Sequence, residues 1–303
     1  MTHRTTPRQQ RSDLTPRNPA PHQGRGELRD AEGDPPQPHT VPTPAHRPRP
    51  AGVAPVRPLL LLAHGSRDPR HAATVEALAD AIRQLRPELP VTTAYLDHCA
   101  PRIAQVVPRL TDAIAVPLLL NRAFHAKHDI PAALRAAGSS LPVAEVLGPS
   151  PLLLDALDRR LAESGLDVAD PAVRARTGVV LTAAGSSDPA ANATTRAVAA
   201  TWRRTRGWAA VTTAYAAAAP TVTDALAALR ADPAVRTTAV APYLLAPGLL
   251  PDRIATASTA AGADHLAPVL GAAPELARLV LARHTEAAAP ARSTRTTRTA
   301  RTA

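Results

Sequence analysis

The stretch Leu59–Pro69, LLLLAHGSRDP, sets the fold expected for this chain. Four leucines and an alanine form a continuous apolar run, which His64, Gly65 and Ser66 follow directly. An apolar run that ends at small and turn-forming residues is typical of a strand buried on both faces of a parallel sheet. Apolar residues at helical spacing then predict a helix over Arg70–Leu85. We therefore expect His64 at the carboxyl end of the first strand, the edge of an open α/β sheet where ligands bind.

Apolar runs and helical patterns go on alternating after this stretch. The predicted strands are Leu59–Ala63, Val91–Asp97, Ala113–Leu120 and Leu141–Val146. The predicted helices are Arg70–Leu85, Pro101–Thr111, a segment opened by Asp129 and Pro131, and Pro151–Glu163. This succession of four β/α units predicts a doubly wound parallel sheet with helices on its faces.

The same pattern returns 120 residues later. VLTAAGSSDP at Val180–Pro189 corresponds to the opening stretch, and VTTAY occurs at both Val91–Tyr95 and Val211–Tyr215. A repeat of this length indicates duplication of a whole domain, because solenoid repeats are shorter. The predicted fold class is therefore α/β, with two similar lobes, each a four-stranded parallel sheet flanked by helices. The first lobe is assigned to residues 58–165 and the second lobe to residues 176–284.

The second lobe lacks the polar groups of the first. Ala184 stands where the first lobe has His64, and the segment LDHCAP at Leu96 becomes AAAAP, which ends at Pro220. The counterpart of the loop NRAFHAKHDI, which is APGLLPDRI at Ala246–Ile254, contains no histidine. We therefore expect the first lobe to carry the active site and the second lobe to serve as a wall or lid.

Both ends of the chain differ in composition from the two lobes. Residues 1–57 hold nine arginines against five acidic residues, with many prolines and almost no long apolar side chains. Residues 285–303 form a Thr/Arg/Ala repeat with four arginines. Segments of this kind bury too little apolar surface to fold, so both are predicted to be disordered tails. A solubilising role is favoured over nucleic-acid binding, because no aromatic residues alternate with the arginines.

The sequence also suggests a compartment. The N-terminus has no apolar core of a secretory signal, and no run of about 18 apolar residues predicts a membrane helix. The single cysteine, Cys99, has no partner for an intramolecular disulfide, which favours a reducing compartment. We expect a cytoplasmic protein that does not contact a membrane.

Three polar residues are expected at the carboxyl edge of the first sheet. His64 follows the first strand, Asp97 ends the second, and His125 follows the third. Two imidazoles from separate loops, with a carboxylate nearby, make a site for a first-row divalent metal. His64 and Asp97 also have structural interpretations, as a hydrogen-bonded histidine at a strand end and as a helix cap before Pro101.

Other polar residues near this edge are weaker candidates for the site. We expect His71, His98 and His128 on the solvent-exposed surface, and Cys99 as a small buried filler. A further group is basic and either attracts a polyanionic ligand or forms a solvated loop surface. These residues are Arg67, Arg70, Arg122 and Lys127, the chain's only lysine.

Three segments in this order resemble the class II sirohydrochlorin chelatases, the CbiX/SirB-type enzymes of sirohaem and cobalamin synthesis. They are AHGSRDP at Ala63, AYLDHCAP at Ala94 and AFHAKHDIP at Ala123. The resemblance extends from Pro58 to about His284 and includes the two-lobe form with a degenerate second lobe. It implies a lyase that inserts a divalent metal, Fe²⁺ or Co²⁺, into sirohydrochlorin, with the metal as substrate and no organic cofactor.

The resemblance also implies roles for particular residues. His64 and His125 match the two metal-handling histidines, and neutral imidazole can both bind the metal and accept the pyrrole protons. Asp97 falls where many members have a glutamate and is the third predicted metal contact. The macrocycle is expected in the cleft between the lobes of a chain that acts as a monomer. Its carboxylates are expected near Ser66, Arg67 and Lys127.

The residues alone leave two alternative functions open. A non-catalytic carrier of metal or tetrapyrrole would use the same histidines only for binding. A histidine phosphatase also places a histidine after a strand, but its motif needs an arginine directly before that histidine, and here the residue is Ala63. The sequence does not separate iron from cobalt, because imidazole accepts both metals. No Gly-rich dinucleotide fingerprint is present, so a fused dehydrogenase is not expected.

Overall fold

A computed structural model gives the fold of the protein and describes residues 56–121, 129–186 and 189–289. Strands and helices alternate along these segments. The strands are β1 (Leu59–Ala63), β2 (Val91–Tyr95), β3 (Ile114–Pro117), β4 (Thr177–Ala183), β5 (Ala210–Tyr215), β6 (Thr237–Pro242) and β7 (His265–Leu266). The helices are α1 (Pro69–Leu85), α2 (Ile103–Val106), α3 (Ile130–Ala136), α4 (Pro151–Glu163), α5 (Pro171–Arg174), α6 (Pro189–Arg206), α7 (Val222–Ala231), α8 (Leu249–Ala260) and α9 (Pro274–Ala288), and a 3₁₀ turn covers Val107–Arg109.

The first sheet has the strand order β2-β1-β3, and its strands are parallel. β1 lies in the middle and is buried along its whole length. Leu59 and Leu61 belong to a core shared with α1, α4 and α9, while Leu60 and Leu62 face a second core formed with α2 and α3. Burial on both faces explains why the strand is a continuous apolar run rather than an alternating one.

The predicted fourth strand of this sheet, Leu141–Val146, is reduced to a single bridge between Ala115 and Val143. Ala115 N–H donates to Pro142 O at 2.9 Å, and Ala144 N–H donates to Ala115 O at 2.8 Å. Pro142 has no N–H with which to extend the ladder. Among the described residues the first sheet therefore has three strands, where the sequence predicted four.

The second sheet has the order β5-β4-β6-β7 and is also parallel. Its register repeats that of the first sheet: Leu61 pairs with Thr93, and Leu181 pairs with Thr213, each residue 120 positions further along the chain. β7 occupies the position where the first sheet has only the bridge. The predicted α/β fold class is confirmed, and the second sheet has the predicted four strands.

The last helix of each lobe packs on the other lobe. α9 contacts β3 and α1 of the first lobe, and α4 contacts β6 of the second. An ion pair joins α4 to α9 at this crossing, with Arg159 Nη2 2.7 Å from Glu275 Oε1. The exchanged helices close one apolar core that contains residues of both sheets. The lobe boundary predicted from the repeat therefore does not separate two cores, because α4 and α9 pack across it.

Both ends of the folded region extend beyond the predicted limits. Arg57, assigned to the N-terminal tail, donates from Nε to Asp112 Oδ1 at 2.8 Å, and its carbonyl accepts a hydrogen bond from His284 Nε2 at 2.9 Å. α9 continues to Ala288, past the predicted start of the C-terminal tail at residue 285. Within the described ranges, no helix combines the length and the apolar character that a membrane span requires.

Candidate active site

The carboxyl edge of the first sheet brings together the loops that follow β1 and β2. Leu96 N–H donates to Ala63 O at 3.0 Å, and Asp97 N–H donates to His64 O at 2.8 Å. The parallel pairing therefore continues beyond both strands. His64 is exposed at this edge, at the position that the sequence predicts.

Gly65 allows the two loops to approach closely. Its φ is +93°, and a Cβ atom here would lie 1.7 Å from the carbonyl oxygen of Asp97. Any side chain would collide with backbone, so this position requires glycine. Cys99 closes the same contact, because Ser66 N–H donates to its Sγ at 3.4 Å and the thiol donates to Ser66 O at 3.0 Å. The cysteine thus does more than fill space, since it holds the two loops together.

His98 is exposed, as the sequence predicts, and it also lies in the same cleft as His64, which the sequence does not predict. The two ring centroids are 6.5 Å apart, with an angle of 77° between the rings. The φ of His98 is +61°, the one positive value among the described non-glycine residues. A residue with a side chain adopts this backbone conformation infrequently, and no local sequence pattern announces it.

Asp97 is anchored by its neighbours. Its Oδ1 accepts hydrogen bonds from His98 N–H at 2.8 Å and from Arg102 Nη1 at 2.7 Å. The hydrogen bond from the His98 backbone, and then the one from Arg102, hold the pKa of this carboxyl below its usual value. The other oxygen, Oδ2, lies 3.5 Å from His98 Nε2. The interpretation of Asp97 as a helix cap is wrong, because Arg102 occupies the N-cap of α2.

His64 and His98 line a cleft of about 590 Å³. The first lobe contributes residues 64–68 and His98, and the second lobe contributes Leu249 and Asp252 of α8. Leu249 is 65% exposed, more than any other large hydrophobic residue that the structure describes. The second lobe therefore supplies one wall of the cleft, and an apolar side chain stands free on that wall.

A cluster of ion pairs ties α1 to α8 beside the cleft. Arg70 donates to Asp252 from Nη1 at 3.2 Å and from Nη2 at 2.6 Å, and also from Nη2 to Asp68 at 2.6 Å. Asp68 caps α1 by accepting from Arg70 N–H at 2.9 Å. The two carboxylates, Asp68 first, raise the pKa of Arg70. Because its charge is balanced, Arg70 suits a polyanionic ligand less well than Arg67, whose side chain has no partner among the described residues.

His71 is half-buried, so its prediction as a surface residue is wrong. Its ring centroid lies 6.4 Å from that of Tyr95, and its Nδ1 is buried without a hydrogen-bond partner among the described residues. Burial, and then the nearby charge of His64, lower the pKa of His71. We therefore expect a neutral imidazole at this position at neutral pH.

The loop after β3 begins at the same edge, because Leu118 N–H donates to Leu62 O at 2.8 Å. Four residues that the sequence singles out further along the chain lie outside the described residues, namely Arg122, His125, Lys127 and His128. Within the described segments, no group of three or more His, Cys, Asp or Glu residues could hold a metal ion. The metal site of His64, His125 and Asp97 therefore stays a prediction.

Curated proteins with similar sequences are chelatases. The sirohydrochlorin ferrochelatase of Priestia megaterium is 30% identical over 208 residues, which cover 65% of this chain and 76% of that protein. The sirohydrochlorin cobaltochelatase of Priestia megaterium is 30% identical over 147 residues, which cover 45% of this chain and 47% of that protein. The match to the second relative thus spans about half its length.

Solved structures share the fold at lower identity. SirB from Bacillus subtilis with Fe³⁺ gives a TM-score of 0.65 at 24% identity, over 77% of this chain and 96% of that one. CbiX, described as the terminal enzyme for biosynthesis of siroheme in denitrifying bacteria, gives a TM-score of 0.60 at 24% identity, over 77% of this chain and 100% of that one. A family model described as CbiX matches the chain twice, at residues 58–164 and 178–287. Because these matches cover both lobes and well over half of the sequence, the protein belongs to the CbiX family.

Proposed function

We propose that this protein inserts a divalent metal, Fe²⁺ or Co²⁺, into sirohydrochlorin. The observation that carries the proposal is the exposed His64 at the end of β1, its ring centroid 6.5 Å from that of His98, in a cleft that the exposed Leu249 of the second lobe also lines. The relatives named as ferrochelatase and cobaltochelatase support the choice of substrate.

Metal insertion needs groups that bind a divalent metal weakly and accept protons. As the metal bonds to the macrocycle nitrogens, the pyrrole N–H bonds break and their protons leave, and no electron is transferred. Neutral imidazole suits both steps, because it ligates first-row metals and its pKa lies near neutral pH. In this proposal His64 and the predicted His125 present the metal and take up the protons.

The residues that line the cleft complement such a substrate, with an apolar side chain for its flat ring and a basic one for its carboxylates. The macrocycle is flat and apolar, and Leu249 offers it an exposed contact from the second lobe. The peripheral carboxylates are expected near Ser66 and near Arg67, whose guanidinium has no partner among the described residues. Lys127, which follows β3 in the sequence, completes the predicted basic set. The macrocycle is thus proposed to lie between Leu249 and His64.

Asp97 is proposed to act from the edge of the site. Its Oδ1 accepts from Arg102 and from the His98 backbone, whereas its Oδ2 lies beside His98 Nε2. A cation entering the cleft would meet this oxygen and the imidazole together, so Asp97 is kept as the third metal contact. The hydrogen bond from His98 N–H also fixes the backbone of His98.

An anaerobic absorbance assay with excess sirohydrochlorin tests the proposal, with Co²⁺ and Fe²⁺ supplied separately. An enzyme forms many equivalents of metallated product per protein, above the uncatalysed rate. A carrier, the alternative function, binds metal or tetrapyrrole and stops near one equivalent. Product that never exceeds one equivalent with either metal overturns the proposal in favour of the carrier.

Two histidine variants locate the activity. His125→Ala is expected to lower the insertion rate by about 100-fold or more, because it removes a predicted metal and proton site. His265→Ala is the matched control, since this histidine lies in β7 of the second lobe, where its Nδ1 is 3.1 Å from Ser164 O. Equal rates for the two variants would remove His125 from the site.

A further inference from the structure

We propose that the second lobe carries a docking site for an acidic peptide segment of a partner protein, in a groove between α6 and the edge strand β5. The groove has a volume of about 580 Å³. Arg196, Arg203 and Arg204 line it from α6, and residues 211–213 line it from β5. None of these residues lines the cleft of His64, so this groove is separate from the proposed chelatase site.

The groove has an unbalanced positive charge. Arg196, Arg203 and Arg204 are exposed, and their side chains have no partner among the described residues. Arg196 and Arg203 are two helical turns apart and share a face of α6. Arg206, near the end of the same helix, differs because it pairs with Asp155. Free guanidinium groups on one face favour carboxylates, which they bind in bidentate geometry.

At the equivalent positions of the first lobe, on α1 and β2, the polar side chains bond to groups of their own lobe. Thr93 Oγ1 donates to Glu76 Oε1 at 2.5 Å. Arg83 donates to Asp80 Oδ1 at 2.6 Å and to the carbonyl of Val91 at 2.9 Å. The arginine there has acceptors in its own lobe, so these positions offer no free charge to a ligand.

The duplication shows which groups differ between the two lobes at these positions. The positions 120 residues after Glu76 and Asp80 hold Arg196 and Ala200, so the second lobe lacks both of these carboxylates. Arg203 corresponds to Arg83 of the first lobe, but its side chain makes none of the equivalent contacts among the described residues. The first lobe thus has hydrogen-bonded polar side chains at the positions where the second lobe has arginines without partners among the described residues.

The strand β5 adds backbone groups beside these charges. It pairs with β4 on one side, and no strand within the described segments pairs with its other side. An extended peptide can hydrogen-bond to such an edge and direct alternate side chains to one face. Acidic residues at every second position of the peptide would then meet the arginines of α6.

Other polyanions fit the groove less well. Trp208, which lines it, is 3% exposed and so presents no free ring face for stacking on nucleic-acid bases. None of the exposed large hydrophobic side chains of the described residues lies in the groove, so it has no apolar anchor for a lipid surface. An acidic peptide is the occupant that the charges and the strand edge favour together.

Anisotropy of a fluorescein-labelled octapeptide of alternating glutamate and valine tests the proposal on the full chain. We expect saturable binding that weakens with added salt, and no binding when lysine replaces glutamate. R196E/R203E is expected to weaken binding by about tenfold or more, because two attractive charges become repulsive. R109E/R135E is the matched control, since both arginines are exposed in the first lobe and lack ion pairs among the described residues.

Hydrogen exchange on the unaltered protein gives a second readout that depends on no variant. The peptide is expected to slow exchange of the amides at residues 211–213 in β5 and to leave those at 91–93 in β2 unchanged. Circular dichroism of R196E/R203E is expected to match that of the wild type. Equal binding by R196E/R203E and the control, or equal protection of both strands, overturns the proposal, as does tighter binding of duplex DNA or of anionic vesicles than of the peptide.

Discussion

The carboxyl edges of the two sheets share a backbone path and differ in chemistry. In the first lobe Asp97 N–H donates to His64 O at 2.8 Å, and in the second Ala217 N–H donates to Ala184 O at 3.0 Å. The loops after the first two strands of each lobe therefore run together in the same way. The first pair of loops carries imidazoles, a carboxylate and a thiol, where the second pair carries alanines.

The glycines at these edges show what the shared path depends on. Gly65 and Gly185 have φ values of +93° and +84°. Both lobes keep glycine where a loop passes close to its neighbour, while His64 in the first lobe corresponds to Ala184 in the second. The comparison separates residues that the fold requires from residues that carry the proposed chemistry.

Substitution of the two glycines is expected to have the largest effect on stability, and the effect should differ between them. Gly65→Ala places a Cβ 1.7 Å from the Asp97 carbonyl oxygen, and we expect the free energy of unfolding to fall by about 4 kcal/mol. Gly185→Ala places a Cβ 2.8 Å from the Cβ of Tyr215, and we expect a fall of about 2 kcal/mol, mainly from the left-handed backbone. Urea unfolding measures both. A larger loss at Gly185 would reverse the order that the geometry predicts.

A smaller effect is expected where the second lobe forms the wall of the cleft. Leu249→Ala should raise the KM for sirohydrochlorin about fivefold and leave kcat nearly unchanged, because substrate and transition state share the lost apolar contact. Steady-state kinetics check this, with Leu85→Ala as the control, since Leu85 is 50% exposed on the first lobe outside the cleft. An unchanged KM would mean that the second lobe does not contact the substrate through Leu249.

The smallest expected effect depends on pH and concerns the contact of α9 with the first lobe. His284 is 7% exposed. Burial is the main influence on its pKa and lowers it from 6.5, although the hydrogen bond to the Arg57 carbonyl raises it in part. The unfolded chain therefore binds a proton more readily than the folded one. The contribution of His284 to stability is present above the unfolded pKa and is lost as the pH falls below it.

His284→Gln removes this titrating group. We expect the decrease in the free energy of unfolding between about pH 7 and pH 5 to be shallower for the variant than for the wild type. Urea unfolding at a series of pH values measures the two slopes. Parallel slopes would show that His284 does not couple the α9 contact to protonation.

Elements with a complete local signal could be predicted from the sequence. β1 has the predicted bounds Leu59–Ala63 and α4 the predicted bounds Pro151–Glu163, because a continuous apolar run and a proline-started helical pattern define them. The helix predicted over Pro101–Thr111 is instead the short α2 and a 3₁₀ turn. Pro108 lacks the N–H that a continuing α-helix would use there.

Features that depend on distant contacts could not be predicted in this way. The repeat indicates that α4 and α9 exist, but which sheet each helix covers is decided by packing between the lobes. His98 enters the cleft on a backbone with φ of +61°, which no residue pattern reveals. Leu249 is an ordinary apolar residue at the start of α8, and only the tertiary structure places it in the cleft that His64 lines.

The rate of metal insertion by His64→Ala tests most directly whether the first lobe carries the chemistry. Wild type, His64→Ala and His265→Ala are compared anaerobically at equal concentrations of folded protein, with Co²⁺ and with Fe²⁺. We expect the rate of His64→Ala to fall by about 100-fold or more, while the control stays close to wild type. Adding Ala184→His to His64→Ala should not restore the rate, because alanines occupy residues 216–219 of the second lobe. A His64→Ala rate equal to wild type would contradict the assignment of the site to the carboxyl end of β1.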